Sequence, residues 1–243
     1  ALLERIILAS SNEGDTVLDP FCGCATAVAV AQRLNSRWIG IDITHLAVNL
    51  IRTRLKDAFG DNAEFEVIGE PVSLPDAEAL AKQDSWQFQW WALGLVGARP
   101  VEQKKGADRG IDGRLFFHDE GHGKTKQVIL SVKAGHTTVQ HIRDLRGVLD
   151  RERAEIGVLL TMQEPTKPMK AEAASAGFYE SKGVGFAGHQ YPRLQILSIE
   201  DLLQGKGVEY PSFRHSNVTF KKARKAEAPE KRRGKQLKMD EVL

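Results

Sequence analysis

Asp19-Pro20-Phe21-Cys22-Gly23 follows the apolar run Thr16-Val17-Leu18, and Asp42 stands 19 residues beyond Gly23, just after Trp38-Ile39-Gly40-Ile41. An apolar strand running into a tight turn, a helix-forming run from Cys24 to Leu34 and a second strand ending on an acid make half of a pocket for a nucleotide-type cofactor. The turn brings the backbone close to the ligand, and the acid accepts hydrogen bonds from ribose hydroxyls. This spacing suits S-adenosylmethionine or a dinucleotide. A glycine turn alone says little, because any sharp strand-to-helix connection can require one.

The words around the turn are more specific. Leu3-Glu4-Arg5-Ile6-Ile7, then Gly14 to Gly23, then Gly40-Ile41-Asp42-Ile43 resemble the DNA amino-methyltransferases that modify adenine N6 or cytosine N4, over roughly residues 1 to 70. The resemblance implies that Asp19, Phe21 and Gly23 support the methionine part of S-adenosylmethionine and that Asp42 holds its ribose. Two departures stand out. The family continues its turn as Gly-Ser-Gly-Thr, whereas this chain reads Gly23-Cys24-Ala25-Thr26, so Ala25 is expected to crowd the cofactor or shift the turn. The family's catalytic Pro-Pro-aromatic motif is missing, since none of the nine prolines is adjacent to another. The chain is therefore expected to be a C-terminal piece that lacks an N-terminal methyltransferase portion and does not methylate DNA unaided. A generic doubly wound half-domain, or a dehydrogenase, is the competing reading of the same turn, although no second glycine pair supports the dehydrogenase.

At 243 residues, 42% apolar and 27% charged, the chain can bury one or two ordinary cores. No run approaches the roughly 18 apolar residues of a membrane span and no leader pattern opens the sequence, which makes the cytoplasm the expected compartment. The two cysteines, Cys22 and Cys24, are too close together for a disulfide framework or a four-ligand zinc site and are expected to be thiols beside the cofactor. His118 and His122 bracket a polar turn through Asp119 and Glu120, expected to be a solvated hairpin tip. The net charge of +2 is unevenly spread: residues 221 to 243 hold nine Lys or Arg against four acids, which leaves the preceding body slightly acidic. Such a tail reads as mobile. It either contacts phosphates without sequence preference or simply solubilises the chain.

A second module opens near Asp84, after a looser stretch with Pro71, Pro75 and a short polar helix over Asp76 to Lys82. Asp84 or Ser85 caps a helix that aligns Phe88, Trp91, Ala92 and Leu95, with Trp90 and Trp91 expected in packing rather than in base stacking. A short strand near Arg99 to Gln103 follows. Strands over Ile111 to Phe117 and Gln127 to Lys133 then form a hairpin about Gly121 and His122. Paired positions in that hairpin sum to about 243, which sets Asp112 opposite Ser131 and near Lys133, an acid and a lysine at one sheet edge. A helix marked by Val139, Ile142, Leu145 and Leu149, a buried strand over Ile156 to Leu160, a helix from Pro168 to Ala176 and a strand from Leu194 to Ile199 complete an α/β unit.

In that element order, Gly110-Ile111-Asp112-Gly113 and Leu130-Ser131-Val132-Lys133 resemble the PD-(D/E)xK nuclease superfamily, in particular its Mrr-like restriction branch, over roughly residues 84 to 205. The resemblance implies that Asp112 binds Mg²⁺, that Val132 offers it a backbone carbonyl and that Lys133 orients the attacking water. Hard Mg²⁺ favours such oxygen ligands and retains waters, one of which can become the nucleophile. Ser131 departs from the Glu or Gln that the family places there as a further ligand. Cleavage is accordingly expected to be weak or lost unless water, Glu102 or Asp108 fills the position. An ordinary cross-strand Asp and Lys pair is the plainer reading. Arg143 and Arg146 face either the DNA backbone or the acids Asp144 and Asp150.

The expected fold is α/β: a partial Rossmann-like methyltransferase half-sheet (1–70), a linker (71–83), a PD-(D/E)xK nuclease-like domain (84–205) and a basic tail (206–243). The expected function is that of a restriction-modification protein acting on double-stranded DNA, with S-adenosylmethionine serving its methyltransferase part and Mg²⁺ its endonuclease part. The alternative is a non-cleaving DNA-binding module appended to a methyltransferase.

Overall fold

The computed structural model describes residues 2–101, 110–119, 124–183, 187–211 and 219–220. The hairpin tip at Gly121 and His122, Glu102, Asp108 and the basic stretch 221–243 lie outside the described residues. The first module runs α1 (Leu2–Ser10), β1 (Thr16–Asp19), α2 (Thr26–Arg33), β2 (Arg37–Gly40), α3 (His45–Phe59). β1 and β2 pair in parallel, Leu18 opposite Ile39 and Asp19 opposite Gly40, with α2 as the crossover that parallel strands need. Cys22, Ala25, Val28 and Leu55 form the small core on one face, joined by Trp38 and Phe65. Strand alternation turns Leu18, Ile39 and Ile41 to the other face, where each is more than half exposed (58%, 53% and 51%). Contiguous exposed apolar groups of this kind mark a surface suited to being covered.

α4 (Leu74–Gln83) starts at Ser73, whose hydroxyl accepts from the Asp76 amide. Its polar composition conceals an apolar side: Ala77 is fully buried, and Leu74, Leu80 and Ala81 pack into the core of the second module. α5 (Ser85–Leu95) starts at Asp84, whose carboxylate accepts from the amides of Trp86 and Gln87, two of the donors that a helix start leaves unpaired. The chain continues through β3 (Arg99–Pro100), β4 (Gly113–Phe117), β5 (Lys126–Lys133), α6 (Val139–Glu152), β6 (Ile156–Thr161), α7 (Lys167–Ala174), β7 (Phe178–Glu180), β8 (Gln190–Pro192), β9 (Leu194–Ser198) and α8 (Ile199–Leu203).

β3, β4, β5, β6 and β9 form one mixed sheet in that order, β3 to β5 antiparallel and β5, β6 and β9 parallel. Gly113 pairs with Leu130 and Leu115 with Val128, so the hairpin register sums to 243 as the turn position predicted. β4 itself begins at Gly113, two residues later than the apolar pattern suggested. On one face Phe88, Trp91 and Leu93 of α5 meet Leu115, Leu130 and Val158. On the other, Ile142, Leu145 and Leu149 of α6 meet Ile129 and Leu159. Covered on both faces, β6 is apolar at nearly every position, as parallel central strands are.

Asp119 corrects the reading of the hairpin tip as solvated. Its side chain is buried and accepts hydrogen bonds from the Ser181 hydroxyl, the Tyr179 hydroxyl and the Lys182 amide, with the Lys126 ammonium 3.5 Å away. Burial by itself would raise its pKa. These donors and Lys126 outweigh that and hold the carboxyl below its ordinary value. The network ties the β4–β5 hairpin to the β7–β8 pair. After α8, Tyr210 packs edge-on against Phe117 and Thr219 exchanges hydrogen bonds with the backbone of Phe116, so these two residues also lie against the second module.

Replacing Asp119 with Ala leaves three donors and the partly buried Lys126 ammonium short of an acceptor, and is expected to cost about 3 kcal/mol in chemical unfolding. Because the folded pKa is depressed, this stabilisation is present above the ordinary carboxyl pKa and is lost as pH falls through the lower folded value. The two proteins should therefore converge in stability in acid.

Candidate functional site

The first turn is built as the spacing required. β1 delivers Asp19, whose carboxylate accepts weakly from the Phe21 amide at 3.3 Å, and whose carbonyl accepts from the Ile41 amide at 2.9 Å. The Cys22 amide in turn donates to the Ile41 carbonyl, which locks the turn to the end of β2. Gly40 is required at that crossing: a Cβ there would lie 3.0 Å from Val28 and 3.1 Å from the Cys22 sulfur. Gly23 turns with φ +46°, and its amide donates to Asp42 Oδ2 at 2.9 Å. The other oxygen of Asp42 accepts from both the amide and the hydroxyl of Thr44. Burial pushes the Asp42 pKa up, and the hydrogen bonds from Thr44, Gly23 and Ile43 more than reverse it, so the acid is ionised at neutral pH. Asp42 and Gly23 thus meet directly, Asp19 joins them through the turn, and Phe21 projects into solvent at 88% exposure.

Ala25 does not crowd this surface. It adopts the left-handed conformation (φ 60°) and sends its methyl into the core, where it is fully buried with Cys22 and Val28. The left-handed backbone costs a non-glycine residue about 1–2 kcal/mol, and the buried methyl offsets part of it. Cys22 is buried, and Cys24 is exposed with its thiol 3.6 Å from the Thr26 hydroxyl; both are free cysteines.

The second acid lies at the carboxyl end of the parallel strands, just before β4. Asp112 is 5% exposed and its carboxylate is held on both oxygens: Oδ1 accepts from the Gln89 side chain at 3.1 Å, and Oδ2 from the Ser131 hydroxyl at 3.2 Å and the Val132 amide at 2.7 Å. Its backbone continues the ladder, its amide donating to Leu130 and its carbonyl accepting from Val101. Ser131 and Lys133 share the face of β5 that carries Ile129, because side chains alternate along a strand. Lys133 offers its backbone carbonyl to the Met162 amide. The carboxylate, the serine and the lysine are therefore on one edge. Gln89, half-buried on α5, is the added member, and no sequence spacing singled it out. The donor set suits a metal poorly: the acid is already an acceptor on both oxygens, and the serine hydroxyl is turned toward it as a donor. Among the described residues no group of three or more His, Cys, Asp or Glu side chains is placed to hold an ion.

Arg143 and Arg146 do not pair as the helix face suggested. Arg143 reaches Glu172 on α7, Asp150 faces Arg193, and Asp144 accepts from Gln140. Among the described residues no helix is long and apolar enough to cross a membrane.

A parallel strand pair followed two residues on by the ionised Asp42, and a mixed sheet with the buried Asp112 just before β4, are thus the two candidate sites. Residues 1–53 match the model of a DNA methylase family, and residues 87–204 match that of a family described as NACHT-associated inactive Restriction Endonuclease 1. The chain thus resembles a DNA methylase family over its first segment and a restriction-endonuclease-associated family over its second. It is similar to the type II methyltransferase M.HpaI of Haemophilus parainfluenzae, 52% identical over 101 residues, which are 41% of this chain and 32% of that protein. It is also similar to the type II methyltransferase M2.DpnII of Streptococcus pneumoniae, 54% over 55 residues (23% and 20%), and to the DNA adenine methyltransferase YhdJ of Escherichia coli K12, 50% over 64 residues (26% and 22%). The chain spans at most about a third of these relatives. No solved structure gives a significant match.

Asp42→Asn is expected to loosen the turn by weakening the bonds from Gly23 and Thr44, and to lower the melting temperature at neutral pH. The depressed pKa makes the contribution of Asp42 present above the ordinary carboxyl value and absent once pH falls below the folded one, so melting curves of the two proteins should converge in acid. Ala25→Gly exchanges backbone strain for a lost buried methyl, and its unfolding free energy should stay within about 1 kcal/mol of the parent.

Proposed function

We propose that this chain is the cofactor-binding part of a DNA adenine-N6 or cytosine-N4 methyltransferase of a restriction-modification type, joined to a nuclease-derived module that binds double-stranded DNA without cutting it. In the first module Asp42 would hold the ribose of S-adenosylmethionine, and Gly23, Asp19 and Phe21 would line its methionine side. Bound there, the cofactor supplies the methyl group to be transferred. The ionised Asp42 and the left-handed Gly23 that bonds to it support this reading, together with the likeness to methyltransferases that act on DNA. The catalytic Pro-Pro motif and the rest of the sheet would come from a further methyltransferase portion.

The single observation that carries the non-cleaving reading is the hydrogen bonding of Asp112. An acid that accepts from Gln89, Ser131 and the Val132 amide holds two elements together, and freeing an oxygen for Mg²⁺ would leave the buried Ser131 or the partly buried Gln89 and Val132 donors unpaired, at a cost of up to roughly 1–3 kcal/mol each. The matching family, described as inactive, agrees. Two cations, Lys133 on β5 and Arg146 on the exposed side of α6, have no ion-pair partner among the described residues. Such groups contact phosphates and set no sequence preference of their own.

The second reading, a Mg²⁺-dependent endonuclease using Asp112, Val132 and Lys133, is favoured by one observation. The hairpin register brings Asp112 against Ser131 with Lys133 two residues on, on the same face.

Supercoiled plasmid incubated with the purified chain and Mg²⁺ or Mn²⁺ is expected to stay intact, while a duplex oligonucleotide shifts on a low-salt gel and is released as salt rises. Lys133→Ala should weaken that shift several-fold. Nicking that disappears in both Asp112→Ala and Lys133→Ala would replace this reading with the endonuclease. For the first module, calorimetry with S-adenosylmethionine should show binding that Asp42→Ala weakens by at least tenfold, and absence of heat from the parent chain would sink the cofactor assignment.

A further inference from the structure

α3 and α5 lie against each other, and one side chain of α5 grips the cofactor turn. Gln87 Nε2 donates to the Ile43 carbonyl at 3.1 Å, and Gln87 Oε1 accepts from the His45 amide at 2.9 Å. The two backbone groups flank Thr44. Thr44 is the residue whose amide and hydroxyl hold Asp42 Oδ1, and whose hydroxyl also caps α3 by accepting from the Ala47 amide. The His45 amide belongs to the first turn of α3 and has no acceptor within its own helix. A side chain 42 residues away supplies it.

One turn along, the side-chain Nδ2 of Asn49 donates to the Trp90 carbonyl at 2.8 Å, and α5 presents Gly94 where Asn49 rests: a Cβ at 94 would lie 2.1 Å from the Asn49 side chain. The two helices therefore approach at backbone distance, which leaves little room for the clamp to slide. Gln89, two residues after Gln87 on the same helix, donates to Asp112. α5 thus touches the acid of each module, one through Thr44 and one directly.

We propose that Gln87 is a positioning residue for S-adenosylmethionine: by bracketing Thr44 from both sides, the second module fixes the orientation of the carboxylate meant for the cofactor ribose. The proposal rests on the cofactor reading above, in which Asp42 meets the ribose. It adds that a methyltransferase site of this design depends on the appended module for its geometry. A paired amide clamp differs from general packing because it acts on two backbone atoms either side of one residue, and its loss should be felt at Thr44 and at Gly23, the other donor to Asp42.

The test measures amide hydrogen exchange by NMR in the whole chain, alongside calorimetric binding of S-adenosylmethionine. In Gln87→Ala the Gly23 and Thr44 amides should exchange about tenfold faster while core amides such as Leu130 and Leu159 keep their rates, and the cofactor should bind about tenfold more weakly. Gln87→Glu keeps the acceptor for His45 and loses the donor to Ile43, so it should fall between the parent and Gln87→Ala. Trp86→Ala, at an exposed neighbouring position on α5, should match the parent in both measurements. Unchanged Gly23 and Thr44 exchange in Gln87→Ala, or an equal acceleration in Trp86→Ala, overturns the clamp. If the parent binds no cofactor yet shows the expected exchange pattern, the cofactor reading falls and the clamp stands as a purely structural joint.

Discussion

A carboxylate offers about four directions in which to accept hydrogen bonds, and how many the protein itself occupies decides what an acid can still do. Asp42 accepts from Gly23, Ile43 and Thr44 and remains only partly buried, so it is oriented, ionised and within reach of solvent. Asp112, itself buried, accepts from Gln89, Ser131 and Val132, and these donors would lose their partner if the acid turned away. Hydrogen bonding of the same kind therefore goes with a partly exposed acceptor in one module and a structural knot in the other. Ser131 suits this place: a glutamate at 131 would repel Asp112, whereas the hydroxyl bonds to it.

The local pattern carried much of this architecture. The β4–β5 register followed from the position of a single turn, because strand pairing leaves one free parameter once the tip is known. The turn from Asp19 to Gly23 and the acid at 42 were legible because the strand-to-helix crossover constrains both type and spacing. Other features were invisible for a physical reason. Asp119 looked like a hairpin-tip acid because its donors, Tyr179, Ser181 and Lys182, are some sixty residues away and join it only through the β7–β8 pair. Ala25 looked obstructive because sequence gives a side chain's size without its direction, and a left-handed backbone turns the methyl inward. Gln89 lacked any periodic signature, since one polar residue on a half-buried helix looks the same whether it meets water or an acid.

α4 and α5 change how the two modules relate. The polar composition of α4 suggested a spacer, yet its small residues let it lie in the core beneath α5, with Ala77 fully enclosed. α5 then serves two hydrophobic and polar environments: Phe88 and Trp91 face the large sheet, and Gln87 faces the turn after β2. A helix anchored by aromatic burial on one side is a stiff platform for polar contacts on the other, which is the condition under which a single amide can hold a loop in place.

The close packing of Asn49 on Gly94 bears on how such chains can be recombined. A methylase segment grafted onto a different appendage would meet a side chain at the position of Gly94 unless Asn49 were exchanged as well, and the appendage moved alone would carry a notch with nothing to fill it. Inheritance of the pair as a unit is thus imposed by sterics, and chimeras that split residues 49 and 94 between parents should be the ones that fail to assemble.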